Sequence, residues 1–427
     1  MKNLIALLIV SAFVFFTSSP TFGQCKNAVA SIPTLDSAYV ASKTTYFTIE
    51  SNKMIGAGMD KMKQIISESQ FVVLGERHGS SQISHLTKAM IPMLSQSGYD
   101  NFAVEVGPDS GRKLMEFCQS PKDTRQRLYE FNSQYYFKEL DDTPIPFFWS
   151  VEDAEFLQAA AEHKMELWGL DQEYFNSIIY QTDELLKMAQ GKSNFEEIQK
   201  MKTAADQFIR EWFIKEDNSE EDIDIFGIIL KDENVINFFA QFDESTPEAL
   251  QLIENLKISW DIYSRWRKGS HADRVKYIRS NFMKHYSAKA KTKKRPKVFF
   301  KFGGVHASQA LSLGCYDIGH LANELAAENG TQCANITISQ RYYEEEGVVS
   351  DLLPKAVFLQ RMEAFIKQGN QEQFALINLE EIRNDIEKGL IQLPTDDTKE
   401  AQEYLLEAFD FYIILPTDKT PTPNYKE

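Results

Sequence analysis

Short apolar runs that stop at a glycine or an acid recur along this chain. Phe71 to Leu74 runs into Gly75-Glu76-Arg77-His78-Gly79, Asn101 to Val104 into Glu105-Val106-Gly107, and Met165 to Leu170 ends on Asp171. Such runs are the pattern of strands buried on both faces of a parallel sheet. Between them the period becomes helical. Met59, Met62, Ile65 and Ile66 share one face, as do Ile83, Leu86, Met90, Ile91 and Leu94. Pro108, Asp109 and Ser110 open a helix that continues from Arg112 to Cys118, and Glu152 to Lys164 is helical. Further strands are expected from Lys297 toward His306, and at Ala334 to Gln340, Phe374 to Asn378 and Asp410 to Leu415. Lys26 to Gly56 is weakly patterned, residues 119–150 are aromatic-rich and irregular, and Pro416 to Glu427 reads as a loose tail.

The rhythm of strand, turn and helix predicts an α/β fold with a mainly parallel central sheet flanked by helices. From about Ile178 to Ser287 only helices are expected, with charged faces and acidic connections, so an inserted helical subdomain interrupts the sheet. The resulting division is a signal peptide at 1–23, a first half of the α/β domain at 24–177, a helical cap at 178–288, and the second half with its tail at 289–427. The signal rests on Lys2, on an apolar stretch from Leu4 to Phe16 too short to span a bilayer, and on the small residues before Gln24. The mature protein is therefore expected to be exported, periplasmic or secreted, with no integral membrane segment.

Composition sharpens this in two places. A net charge of −16 over 427 residues argues against nucleic acid as a partner, and the basic cluster Lys289 to Lys297 reads as a solvated connection. Four cysteines in an exported chain allow up to two disulfides, and Cys315–Cys333 is the bridge to expect. Neither a nucleophile-elbow pattern, a Walker A motif nor a dinucleotide fingerprint occurs.

Parallel strands share one carboxyl edge, so the polar residues that end them converge. That edge would gather Glu76, His78, Glu105, Asp171 and His306. An imidazole held in one tautomer by a carboxylate serves as general base on water, and the same set is an N/O shell for zinc, manganese or iron. His85, seven residues after His78 on the next helix, is a candidate for the surroundings of the site. His163, His271 and His285 lie in charged helical stretches and read as surface residues.

Together these stretches resemble the erythromycin esterase-like/ChaN-like superfamily, related to the Tiki/TraB group. The resemblance rests on Leu74-Gly75-Glu76-Arg77-His78-Gly79, Val104-Glu105-Val106-Gly107, Gly169-Leu170-Asp171 and the histidine after Gly303-Gly304. It rests also on Arg274 and Asn281, seven apart where the esterases carry Arg-Asp-x-x-Met-Ala-x-Asn. It implies His78 as general base or ligand, Glu76 and Glu105 as orienting or metal-binding carboxylates, and His306 as a second imidazole. Arg274 would pair with a carboxylate or an oxyanion, and Asp171, Asn281 and His85 would serve the substrate. If a metal is bound, Glu76, His78, Glu105 and His306 hold it. One residue separates Glu76 from His78 where the antibiotic esterases have two, a spacing nearer to the haem-binding ChaN branch and the Tiki-type metalloproteases. Val275, Ile278 and Arg279 replace the Asp, Met and Ala of the esterase helix. The implied function is an exported hydrolase of an ester, lactone or amide in a small molecule or peptide. The alternative is a haem- or metal-binding protein without turnover.

Overall fold

The computed structural model describes residues 32–426; the expected signal peptide and Cys25 lie outside them. Twelve strands are described: β1 (Thr44–Glu50), β2 (Lys53–Ile55), β3 (Ser69–Glu76), β4 (Tyr99–Val104), β5 (Glu166–Gly169), β6 (Lys297–Gly303), β7 (Gln332–Gln340), β8 (Tyr342–Glu345), β9 (Val348–Asp351), β10 (Phe374–Asn378), β11 (Phe411–Leu415) and β12 (Asp418–Lys419). Nine of them form one sheet in the order β2-β1-β10-β11-β7-β3-β6-β4-β5. From β11 to β5 every pairing is parallel, while β10, β1 and β2 extend the sheet antiparallel at one end. The fold is thus α/β, with a large, mostly parallel sheet flanked by helices. Residues 178–290 contribute helices alone.

Every residue of β3 is buried, because the strand lies between β7 and β6 and both its faces are covered. Its side chains alternate. Val72 and Leu74 join the core that contains helix Ser81–Gln96, whereas Phe71 and Val73 join the opposite core with helix Ile318–Glu328. Each such side chain stabilises the fold by roughly 1.5–3 kcal/mol. The chain leaves β3 through helix Ser81–Gln96 toward β4, and leaves β6 through helix Ile318–Glu328 toward β7. The two connections diverge on opposite faces, which makes the β3/β6 boundary a topological switch point with a crevice at its carboxyl edge.

Three stretches differ from the sequence expectation. The described part of Lys26 to Gly56 supplies β1 and β2 at one end of the sheet; their half-exposed faces blur the apolar alternation. Residues 119–150 contain helix Thr124–Tyr135, whose polar surface masks its apolar face. The C-terminal stretch is bound rather than loose. Asp418 is buried and accepts from the Gln82 amide at 3.2 Å, the Thr422 amide donates to Glu152 at 2.9 Å, and the Asn424 amide donates to the Trp149 carbonyl at 2.8 Å. The proposed disulfide is absent too. Cys315 and Cys333 are both free, and the Cys333 thiol turns onto Asn335 Oδ1 at 3.3 Å. Among the described residues no helix is long and apolar enough to cross a membrane.

Candidate active site at the switch point

Glu76 ends β3 as a fully buried carboxylate. Its Oε1 accepts from His78 Nδ1 at 3.0 Å and from Lys301 Nζ at 2.7 Å. Burial alone would raise its pKa; the Lys301 ammonium and the His78 imidazole overcome that and bring it down to about 2. The Gly79 backbone, at φ +78°, turns the chain sharply just after His78. The His78 ring is 36% exposed and stacks on Phe147 at a centroid distance of 3.8 Å. Phe147 itself holds a left-handed backbone at φ +64°, an uncommon conformation for a bulky side chain and one that marks stored strain at a site.

Glu105 stands between two imidazoles. Its Oε2 lies 3.7 Å from His78 Nε2 and its Oε1 lies 3.4 Å from His306 Nε2. The Gly303 amide donates to Oε2 and Arg274 Nη2 donates to Oε1 at 2.9 Å. Glycine at 303 leaves room for this packing, since a Cβ there would lie 3.1 Å from His78 Nε2 and 3.3 Å from Glu105 Oε2 and would push both by a few tenths of an ångström. Arg274, on helix His271–Ala290, also forks onto Asp171, with Nε donating to Oδ1 at 2.9 Å and Nη2 to Oδ2. Burial works against the Asp171 charge, but Arg274 outweighs it and lowers the carboxyl pKa. Burial likewise works against the guanidinium, and Asp171 and Glu105 raise its pKa nonetheless.

His306 is buried beyond the end of β6. Its Nδ1 lies 2.7 Å from Asp317 Oδ2, and Asp317 in turn caps helix Ile318–Glu328 through the Ile318 amide. Burial would lower the His306 pKa; the carboxylates of Asp317 and Glu105 prevail and raise it.

The structure therefore gathers Glu76, His78, Glu105, Asp171, Arg274 and His306 at one sheet edge. It leaves two candidates apart. His85, half-buried on helix Ser81–Gln96, makes none of these hydrogen bonds. The Asn281 amide donates to the Leu170 carbonyl at 3.0 Å and ties its helix to the end of β5. The sequence reading missed Lys301, Asp317, Phe147 and His271, whose ring centroid lies 6.1 Å from that of His306. A single lysine inside the apolar run of β6 is a signal of a buried partner, and Asp317 stands at a helix N-cap position. His285, read as a surface residue, is half-buried, and its ring stacks on the buried Trp168 at 5.1 Å.

The donor set does not fit a metal ion. A cation between the two imidazoles would share Glu105 with the Arg274 guanidinium, whose charge repels it. Both oxygens of Glu76 face Lys301 at 2.7 Å. Among the described residues no group of three or more His, Cys, Asp or Glu is arranged to hold one. A cavity of about 730 Å³, lined by Tyr174, Phe175, Phe213, Phe226, Tyr263 and Trp266 among others, includes none of the cluster's side chains.

No family model and no curated protein sequence matches this chain. Solved structures do. A His-to-Asn mutant of the erythromycin esterase EreC, in its open conformation, superposes with a TM-score of 0.51 at 12% identity, over 88% of this chain and 98% of that one. The chain has the erythromycin esterase-like fold. A succinoglycan biosynthesis protein shares this esterase-like architecture with a TM-score of 0.51 at 15% identity, covering 90% and 97% of the two chains. A Bacillus cereus protein does so with a TM-score of 0.50 at 11% identity, covering 91% and 98%. At these identities the likeness concerns the esterase-like fold alone. ChaN of Campylobacter jejuni, solved with cofacial haem, reaches a TM-score of 0.30 over 69% of this chain, too distant to argue from.

Proposed function

We propose that this chain is an exported hydrolase in which His78 activates water against an ester, lactone or amide of a small molecule or peptide. One observation carries the reading. Glu76 occupies Nδ1 of His78, which leaves Nε2 as the ring's proton acceptor in a partly open crevice. Water bound at Nε2 gives up its proton there, and its oxygen attacks the carbonyl carbon. Arg274 uses Nε and Nη2 on Asp171 and Glu105, so Nη1 remains to donate to the oxyanion. His306, biased toward its protonated form by Asp317 and Glu105, protonates the leaving oxygen or nitrogen as its bond to the carbonyl carbon breaks. The two imidazoles then exchange protons with solvent, and the helices between 178 and 288 cap the crevice. That one fold neighbour is an esterase agrees with hydrolysis without assigning a substrate.

The test is a panel of esters, lactones and peptides assayed with wild type and His78→Ala, beside N-terminal sequencing of native material. Turnover that depends on His78 and a mature end near Gln24 are expected. A Soret band on haem addition without turnover of any panel member would replace hydrolysis by ligand binding, and an intact N-terminus would remove export.

A further inference from the structure

The cavity of about 730 Å³ lies where residues 140–142 and 174–175 meet the helices Phe195–Asp217, Ile225–Ile229 and Pro247–Ser264. A space of this size takes a small organic molecule. Its aromatic walls brace one another. Phe226 stacks on Tyr263 at 4.9 Å, and Phe175 meets Phe213 and Tyr263 edge to face at 5.7 and 6.4 Å. Trp266 is 52% exposed, and Asp217 and Asp222 are exposed beside it, so this lining opens to solvent. Burial, then the Asp171 charge, raises the Tyr263 pKa; that ring borders the histidine cluster as well as the cavity. Six carboxylates line the space against two cations, Arg267 and Lys268, and Asp222 already holds Arg267 at 2.6 Å. Lys268 is exposed. Asp142 is the half-buried member of the six, and it accepts from the Tyr174 hydroxyl and the Thr143 amide, each at 2.8 Å. Burial raises its pKa, with Asp141 adding to this, against the hydrogen bonds from Tyr174, Thr143 and Asn176. A cation beside Asp142 would favour its charged form. Ring faces attract cations too, so walls and carboxylates select the same chemistry. An anion is repelled, and a neutral sugar stacks on rings but gains nothing from the excess negative charge.

We propose that this cavity is a binding site, separate from the histidine cluster, for a small-molecule amine or quaternary ammonium ion that carries an aromatic or aliphatic body. The site does not depend on the hydrolytic reading, and either can fail while the other stands. The matched probes are 3,3-diphenylpropylamine, 3,3-diphenylpropan-1-ol and 3,3-diphenylpropanoate, which share one body and differ in the charge of the head. Spermidine serves as a cation without rings, and maltotriose as a neutral sugar. In isothermal titration of the full chain at neutral pH, the amine should bind about tenfold or more tighter than the alcohol, and the carboxylate more weakly still. Asp142→Asn should weaken the amine about tenfold and leave the alcohol nearly unchanged. Trp266→Ala, on the exposed side, should weaken the amine and the alcohol alike by about threefold or more. If Asp142→Asn does not fold, the order of the three heads in wild type and the Trp266→Ala variant decide. Equal affinity for amine and alcohol overturns the proposal, as does spermidine binding as tightly as the amine. So do maltotriose binding without the amine, no binding of the amine, and amine binding that neither variant changes.

Discussion

His78 and His306 face the same carboxylate from two strand ends, yet their settings are opposed. The His78 side chain is 36% exposed, bonded at Nδ1 to a carboxylate that Lys301 already neutralises, and stacked on Phe147. That of His306 is 5% exposed and lies between two carboxylates, Asp317 and Glu105. A base must shed and regain a proton quickly and needs access to solvent. An acid must keep its proton, and a pair of anions in a dry setting secures that. On the proposed reading the same residue type takes two roles because its neighbours differ.

The largest expected effect breaks the His78 side. His78→Ala should slow hydrolysis roughly 10²–10⁴-fold while stability changes by only about 1 kcal/mol, since the ring is partly exposed. Rate assays beside urea melts check this; a loss below tenfold would move the base elsewhere. On the other side, Asp317→Asn keeps the helix cap but removes the charge that holds His306. Breaking a buried pair should cost about 3 kcal/mol at pH 6. Because the folded His306 pKa is raised, the stabilisation is complete below the ordinary histidine pKa and fades as pH rises through the folded value. The gap between wild type and variant should therefore narrow at pH 9, and a constant gap would deny the charge on His306.

Glu76 titrates in the opposite sense. Its pKa is depressed to about 2, so its stabilisation is present above the ordinary carboxylate range and is lost as pH falls from about 4.5 toward 2. Glu76→Gln should be less stable than wild type at pH 7 by roughly 2–3 kcal/mol, with the difference shrinking through that window. Urea midpoints at pH 7, 5, 4 and 3 would show it. The smallest effect concerns Phe147→Leu, which removes ring stacking of about 0.5–1.5 kcal/mol and should reduce kcat/KM severalfold without altering the fold.

How much of this site could be read beforehand depended on how each residue is delivered. Glu76, Glu105 and Asp171 stand at the ends of apolar runs, and sheet topology alone brings such positions together. His306 follows from the same rule. Lys301 sits within a run rather than at its end, so its role appears only when β3 is paired beside β6. Asp317 and Phe147 come from connections, and His271 from a helix start amid surface charges; no period governs such positions. β1 and β2 escaped because Phe47 and Met54 are their only buried side chains, too few to set an apolar alternation, and the C-terminal stretch because it is held largely by backbone and polar contacts.

That C-terminal stretch has a consequence for how the crevice comes into being on the ribosome. The Asp418 carboxylate holds the start of the helix that follows His78, and β11 fills the sheet between β10 and β7, although almost the whole sequence separates these segments from β3. An emerging chain can present β3 with its glutamate and histidine long before these supports exist. Until they arrive, β7 lacks a neighbour and the turn after Gly79 lacks its clasp. Completion of the crevice is thus a late event in synthesis, and the half-made polypeptide carries an exposed parallel edge that invites chaperone binding.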